Sequence, residues 1–196
     1  MIRVLLVALV VVGCRAAPPP DPRTLTDADY PGVLRPVAAL GADVLCRQRV
    51  TATWGGESRS FDAVLQTRGE TLTLLGLSPL GQVGFVLTLH DGEVSFENRT
   101  EMELPFPPRF ILLDVQRVFY PWLEPGVLEG EVDGERVVER RRDGALLERT
   151  FTRLDGAPAG AIVVRLEGHA PGRVAPARAE LENGWFGYRL SVETVE

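Results

Sequence analysis

Glycine-containing turn signals punctuate this chain and constrain what it can become. They are Gly55-Gly56, Arg68-Gly69, Pro79 to Gly81, Asp91-Gly92, Asp133-Gly134, Asp143-Gly144, Asp155-Gly156, Pro171-Gly172 and Asn183-Gly184. Asp-Gly and Asn-Gly supply the positive φ angles that two-residue hairpin turns require. Most neighbouring signals lie ten to fourteen residues apart, the length of one strand and its turn. The chain therefore reads as an antiparallel meander.

The residues between turns support this. Phe61, Ala63 and Leu65 alternate with Asp62 and Gln66, and Ile162, Val164 and Leu166 alternate with Val163, Arg165 and Glu167. Phe186, Tyr188, Leu190 and Val192 share one parity. Period-two alternation places one face on a core and the other toward water. The runs 71–77 and 83–89 are apolar more continuously, which predicts strands covered on both sides. About eleven strands are expected: 43–54, 59–67, 70–77, 82–90, 93–99, 127–133, 135–142, 145–153, 160–168, 175–182 and 185–195.

One interval breaks the rhythm. Pro107-Pro108 precedes RFILLDVQRVFYPW, with no hairpin turn between Glu101 and Pro125. Proline suits the first turn of a helix, where its missing N–H costs nothing. Ile111, Val115, Val118 and Trp122 recur with helical spacing, flanked by Leu112 and Phe119 and opposed by Arg109, Asp114 and Arg117. That spacing predicts one amphipathic helix with a single apolar stripe. A weaker helical stretch is expected between Thr26 and Leu40. The helix can cover an open, strongly curved sheet, giving a half-barrel, or plug a closed barrel; its stripe faces the concave side in either case.

The N-terminus reads as an export signal. Met1-Ile2-Arg3 precedes an apolar run from Val4 to Val12 and then Gly13-Cys14, too short to span a bilayer as a mature helix. The Val11-Val12-Gly13-Cys14 end resembles the bacterial lipobox, which implies cleavage before Cys14 and its acylation. Each buried CH₂ of an acyl chain contributes about 0.8 kcal/mol to anchoring. Under the family sorting rule, Arg15 at the second mature position implies the outer membrane. AAPPPDP, residues 16 to 22, favours an extended tether. The expected organisation is a signal peptide at 1–13, a lipidated tether at 14–23 and a single domain at 24–196.

Charge and chemistry exclude much. Loss of Arg3 with the signal moves the formal charge from −6 to −7, and the chain has no lysine. Nucleic acid binding needs a concentrated basic surface, so no nucleic-acid partner is expected. Arg140-Arg141-Arg142 is flanked by Glu139 and Asp143 and reads as a solvated strand face. Once Cys14 is lipidated, Cys46 is left alone, without an intramolecular disulfide, as a small buried hydrophobe. Gly76-Leu77-Ser78-Pro79-Leu80-Gly81 is one residue too long for a nucleophile elbow and lacks its strand–turn–helix setting. His90 and His169, the only histidines, sit beside turn sequences and match no metal spacing. No enzyme activity and no cofactor are expected.

The ordered series of lipobox, proline tether, strand pair around Pro79-Leu80-Gly81, "LPFPPRFILLDVQRVFYPW" and terminal "PARAELENGWFGYRLSVETV" resembles the LolB-like outer-membrane lipoproteins over about residues 43 to 196. It resembles more closely an uncharacterised subfamily bearing "FDAVLQTRGETLTLLGLSPLGQ" and "ELPFPPRF", which tends to occur with lipid or aryl-polyene pathways. The resemblance implies a curved antiparallel sheet of about eleven strands, its concave side closed by helices and open to acyl chains. It also implies that Pro79, Leu80 and Gly81 form a membrane-insertion loop with a protruding leucine, and that a LolA-like periplasmic carrier is a partner. A leucine at a turn tip exposes apolar area in water but loses that cost at a bilayer.

Two functions are carried forward. The first is an outer-membrane-anchored, monomeric lipoprotein that binds a hydrophobic ligand beside Ile111, Val115, Val118, Phe119 and Trp122 and passes it to the membrane. The alternative is a non-catalytic lipoprotein scaffolding an envelope complex, its concave side filled by its own side chains.

Overall fold

The computed structural model describes residues 24–100, 104, 106–169 and 174–195. Cys14 and Arg15 lie outside the described residues.

Eleven antiparallel strands form one sheet: β1 Leu45–Trp54, β2 Glu57–Arg68, β3 Thr71–Leu77, β4 Val83–His90, β5 Glu93–Asn98, β6 Glu129–Val132, β7 Glu135–Arg142, β8 Ala145–Arg153, β9 Ala161–Glu167, β10 Arg178–Asn183 and β11 Tyr188–Val195. The strand order is β5-β4-β3-β2-β1-β11-β10-β9-β8-β7-β6. Two meanders are thus joined through the β1–β11 pair, from Arg47 opposite Val195 to Trp54 opposite Tyr188. Among the described residues β5 and β6 remain as free edges, so the sheet is open and not a closed barrel.

Local chemistry accounts for most of the turns. Asp91-Gly92, Asp133-Gly134 and Asp143-Gly144 each place two successive residues at positive φ, from 50° to 80°, as two-residue hairpin turns demand. Asn183-Gly184 departs from that expectation, because β11 starts only at Tyr188. The Asn183 side chain accepts hydrogen bonds from the backbone N–H groups of Trp185 and Phe186, making a longer turn that removes Phe186 from the strand.

α1, Pro108–Phe119, links the two free edge strands. Pro108 starts it, and Tyr120 leaves helical geometry just before Pro121. The expected N-terminal helix forms only as two short 3₁₀ turns, Asp27–Asp29 and Val37–Leu40, since Pro31 and Pro36 prevent a continuous ladder. One core joins the inward residues of both meanders, such as Leu65, Leu72, Phe85 and Leu87 on one side and Val137, Phe151, Ile162 and Val164 on the other, to Phe110, Leu112 and Leu113 of α1.

The expectation that β3 and β4 are covered on both faces is not met. Leu72, Leu74, Leu87 and Leu89 are buried, but Leu75, Leu77, Val83 and Val86 are only half-buried. Thr73 and Thr88 lie on the same side and are likewise not fully buried, so these strands have one buried and one wetter face.

Candidate functional site

The concave side under α1 and the tip of the β3–β4 hairpin are the two places where sequence analysis put function. Val118, Phe119 and Trp122 are buried, while Ile111 and Val115 are half-buried and pack against the core. The Trp122 indole N–H donates to the Gln116 carbonyl at 3.0 Å, and its ring meets Phe151 edge-on at 4.9 Å.

The residues expected to oppose this stripe are not all on a solvent face. Asp114 and Arg117 are buried, and so is Gln116 between them. The helix reads as amphipathic because its own sequence cannot show that other elements supply polar partners. Tyr30 donates to one Asp114 carboxylate oxygen at 2.6 Å, and Tyr188 donates to the other at 2.5 Å. Asn183 Nδ2 donates to both tyrosine oxygens, at 3.1 and 2.9 Å, closing a ring of four side chains. Burial pushes the Asp114 carboxyl up to about 6, against the two tyrosine hydrogen bonds and the Arg117 charge that favour ionisation. Burial also raises both tyrosine hydroxyls well above their usual range.

Arg117 donates from Nη2 to both Glu135 carboxylate oxygens, at 2.7 and 3.0 Å. Among the described residues its Nε and Nη1 meet no hydrogen-bond acceptor. The guanidinium instead lies within reach of four rings, Phe151 at 4.9 Å, Tyr30 at 5.0 Å, Trp185 at 5.3 Å and Trp122 at 5.7 Å. Burial opposes its charge, but Tyr30, Glu135 and Asp114 outweigh that and raise its pKa. Arg149 binds Glu139 through Nε and Nη2, and donates from Nη1 to the carbonyls of Arg117 and Tyr120 at 2.9 and 3.0 Å. It thereby satisfies the end of α1, where a cation is favoured.

Sequence reasoning missed these buried charges, although a signal existed. Glu135 and Glu139 share the inward parity of Val137, and Arg149 shares that of Phe151. The arrangement is a structural lock. It ties α1 to β7, β8, β10 and β11, and Arg109 extends it by donating to the carbonyls of Asp27, Tyr30 and Gly32.

At the hairpin tip, Gly81 N–H donates to the Ser78 carbonyl at 2.8 Å, and Gln82 N–H donates to the Ser78 hydroxyl at 3.2 Å. Ser78 is thus occupied in turn chemistry. Gly81 takes φ 76°, and Leu80 is 86% exposed, the most exposed of the large apolar side chains described. Pockets lined by described residues lie at the strand ends. One of about 400 Å³ sits between the Val37–Leu40 turn and the β4–β5 turn, lined by Leu34, Val37, Glu70 and Leu89.

Conventional reactive chemistry is scarce. Among the described residues no group of three or more His, Cys, Asp or Glu side chains is placed to hold a metal ion. Burial pushes the free Cys46 thiol up to about 11, which keeps it protonated. No helix of the described chain is long and apolar enough to cross a membrane.

A family model matches residues 46–196. The chain belongs to the family described as "Protein of unknown function (DUF3261)". No curated protein matches it. Among solved structures it is similar to a LolA superfamily protein from Nitrosomonas europaea, with 10% identity and a TM-score of 0.43 over 79% of this chain and 84% of that one. It is also similar to the lipoprotein LppX from Mycobacterium tuberculosis, with 10% identity and a TM-score of 0.33 over 77% and 85%.

Proposed function

We propose that this protein is an outer-membrane-anchored lipoprotein, acylated at Cys14, that binds a hydrophobic ligand and passes it to the bilayer. The observation that carries this reading is Leu80. A large apolar side chain held in water between Pro79 and Gly81 is costly unless it meets an apolar phase. Ile111, Val115, Val118, Phe119 and Trp122 would contact a lipid, acyl or polyene moiety on the concave side, and a LolA-like carrier would supply it. Burial of the ligand at about 25 cal/mol per Å² would drive loading without catalysis.

The test uses the mature chain loaded with a fluorescent fatty acid and mixed with phospholipid vesicles. Leu80→Glu should load normally and transfer poorly. Unimpaired transfer by a stable Leu80→Glu protein would remove the membrane role.

The scaffold reading is favoured by a different observation, the filling of the space beside Trp122 by Arg117 and its rings. Native mass spectrometry of protein purified from its own envelope separates the two. A bound apolar mass supports the carrier, and a ligand-free protein supports the scaffold.

A further inference from the structure

The β3–β4 hairpin differs from the rest of the sheet in its charge. From Thr71 to Leu89 the chain contains no Asp, Glu, Lys or Arg in nineteen residues. Elsewhere the outward face is laced with ion pairs across neighbouring strands. Arg47 meets Asp62 at 2.6 Å, Arg165 meets Glu148 at 3.2 Å and Glu182 at 3.4 Å, and Arg189 meets Glu182 at 3.6 Å.

Register shows what the hairpin presents instead. Val64 of β2 stands opposite Leu75, which stands opposite Val86. One step toward the tip, Leu77 stands opposite Val83. All five are half-buried, and none packs against the hydrophobic core. Their neighbours on the core-facing side, Leu74 and Leu87, are buried, so alternation places Val64, Leu75, Leu77 and Val86 on the outer face, and the register shift between Gly76 and Leu77 brings Val83 onto it opposite Leu77. Along β3 and β4 the row runs without a charge to Pro79 and Leu80 at the tip, while on β2 Asp62 stands opposite Leu77.

We propose that the outer face of the β3–β4 hairpin, continuous with Leu80, is a bilayer-contact surface, so that the hairpin meets lipid along a strip and not at one side chain. The proposal rests on the reading of Leu80 as a membrane residue and on anchoring at Cys14. Two observations favour lipid over a protein partner. The hairpin itself carries no charge from Thr71 to Leu89, and charge is what hydrocarbon excludes; the charges beside it, Asp62 opposite Leu77 and Glu97 opposite Val86, stand on the neighbouring strands. The ten residues from Cys14 to Arg23 can extend about 30 Å at roughly 3.1 Å each, so an anchored domain stays beside the bilayer. The bilayer is then at high effective concentration for any apolar strip the domain exposes.

The test uses the mature chain with Cys14→Ser and Cys46→Ser, carrying one new cysteine labelled with an environment-sensitive fluorophore. The three positions are Leu80→Cys at the tip, Val86→Cys on the strip and Thr51→Cys on the outer face of β1. Vesicles of phosphatidylethanolamine and phosphatidylglycerol should shift emission to the blue and raise it severalfold at 80 and 86, and leave 51 unchanged. A shift at 80 alone would keep the insertion tip and overturn the strip. No shift at either would overturn both. A shift at 86 that grows with protein concentration without vesicles would show a second copy covering the strip and overturn the lipid assignment. Val86→Glu provides a label-free check in the Cys14→Ser background. It should float with vesicles severalfold less than the parent, and equal flotation by a folded Val86→Glu protein would overturn the proposal.

Discussion

The Phe85 ring lies over Gly76 across the β3–β4 pair, so closely that a Cβ at residue 76 would stand 2.0 Å from the ring's Cε1. The glycine is required by this packing, since its φ is not among the positive ones. Phe85 is fully buried and also meets Phe61 at 5.8 Å, so the ring cannot retreat cheaply.

Gly76→Ala should therefore destabilise the protein by about 1–3 kcal/mol or more, as overpacking does. Adding Phe85→Leu should recover part of the loss. Chemical denaturation of the two variants checks this, and an equal loss with and without Phe85→Leu would show that the ring is not the obstacle.

Leu80→Ala should change stability by less than about 0.5 kcal/mol, because the side chain touches mainly water. Leu89→Ala, at a buried position of the same hairpin, should cost about 2–5 kcal/mol. Thermal unfolding of both gives the comparison. A large loss at Leu80 would place that side chain in the core.

Asp114 should make stability depend on pH. Its carboxyl is pushed up to about 6 by burial, against an ordinary value of 3.8. Between those values the folded state holds a proton that the unfolded state has lost. Stability from this group is therefore complete below about pH 4 and falls as pH rises through 6, by about 3 kcal/mol at most. Glu135, also raised by burial, acts in the same direction. The stability difference between wild type and Asp114→Asn, followed from pH 4 to 7, should move against the wild type. A constant difference would assign the slope elsewhere.

Arg117→Met should cost about 3–5 kcal/mol, because it strands Glu135 as a buried, unpaired charge. Arg117→Met with Glu135→Leu should cost less than Arg117→Met alone, since Glu135 is then no longer left as a buried carboxylate without its partner. Urea unfolding of the single and double variants measures the difference, and a double variant less stable than the single would show that the pair contributes more than its desolvation costs.

Cys14→Ser should abolish processing before residue 14 and release the protein from the outer membrane. Fractionation with palmitate labelling checks both. Wild-type processing and fractionation by the serine variant would end the lipoprotein reading.

The meander, the eleven strands and α1 were legible in the sequence because their causes are local. A two-residue turn is decided by φ at Asp91 and Gly92, a strand face by parity from one residue to the next but one, and a helix start by Pro107-Pro108. Leu80 at the tip was legible for the same reason, as Pro79 and Gly81 adjoin it. The polar partners of Asp114 and Arg117 were not. Glu135 lies 18 positions from Arg117, and Asn183 reaches Tyr30 across 153. No spacing rule spans such intervals. Whether a charge on a helix faces water or a partner is decided only when curvature brings distant strands around it. The sequence by itself determined the order of elements and which side chains could face inward. The tertiary structure decided that two of the charges opposing the helix stripe lie in the core, because only the folded sheet supplies the hydroxyls, carboxylates and rings that make burying them tolerable.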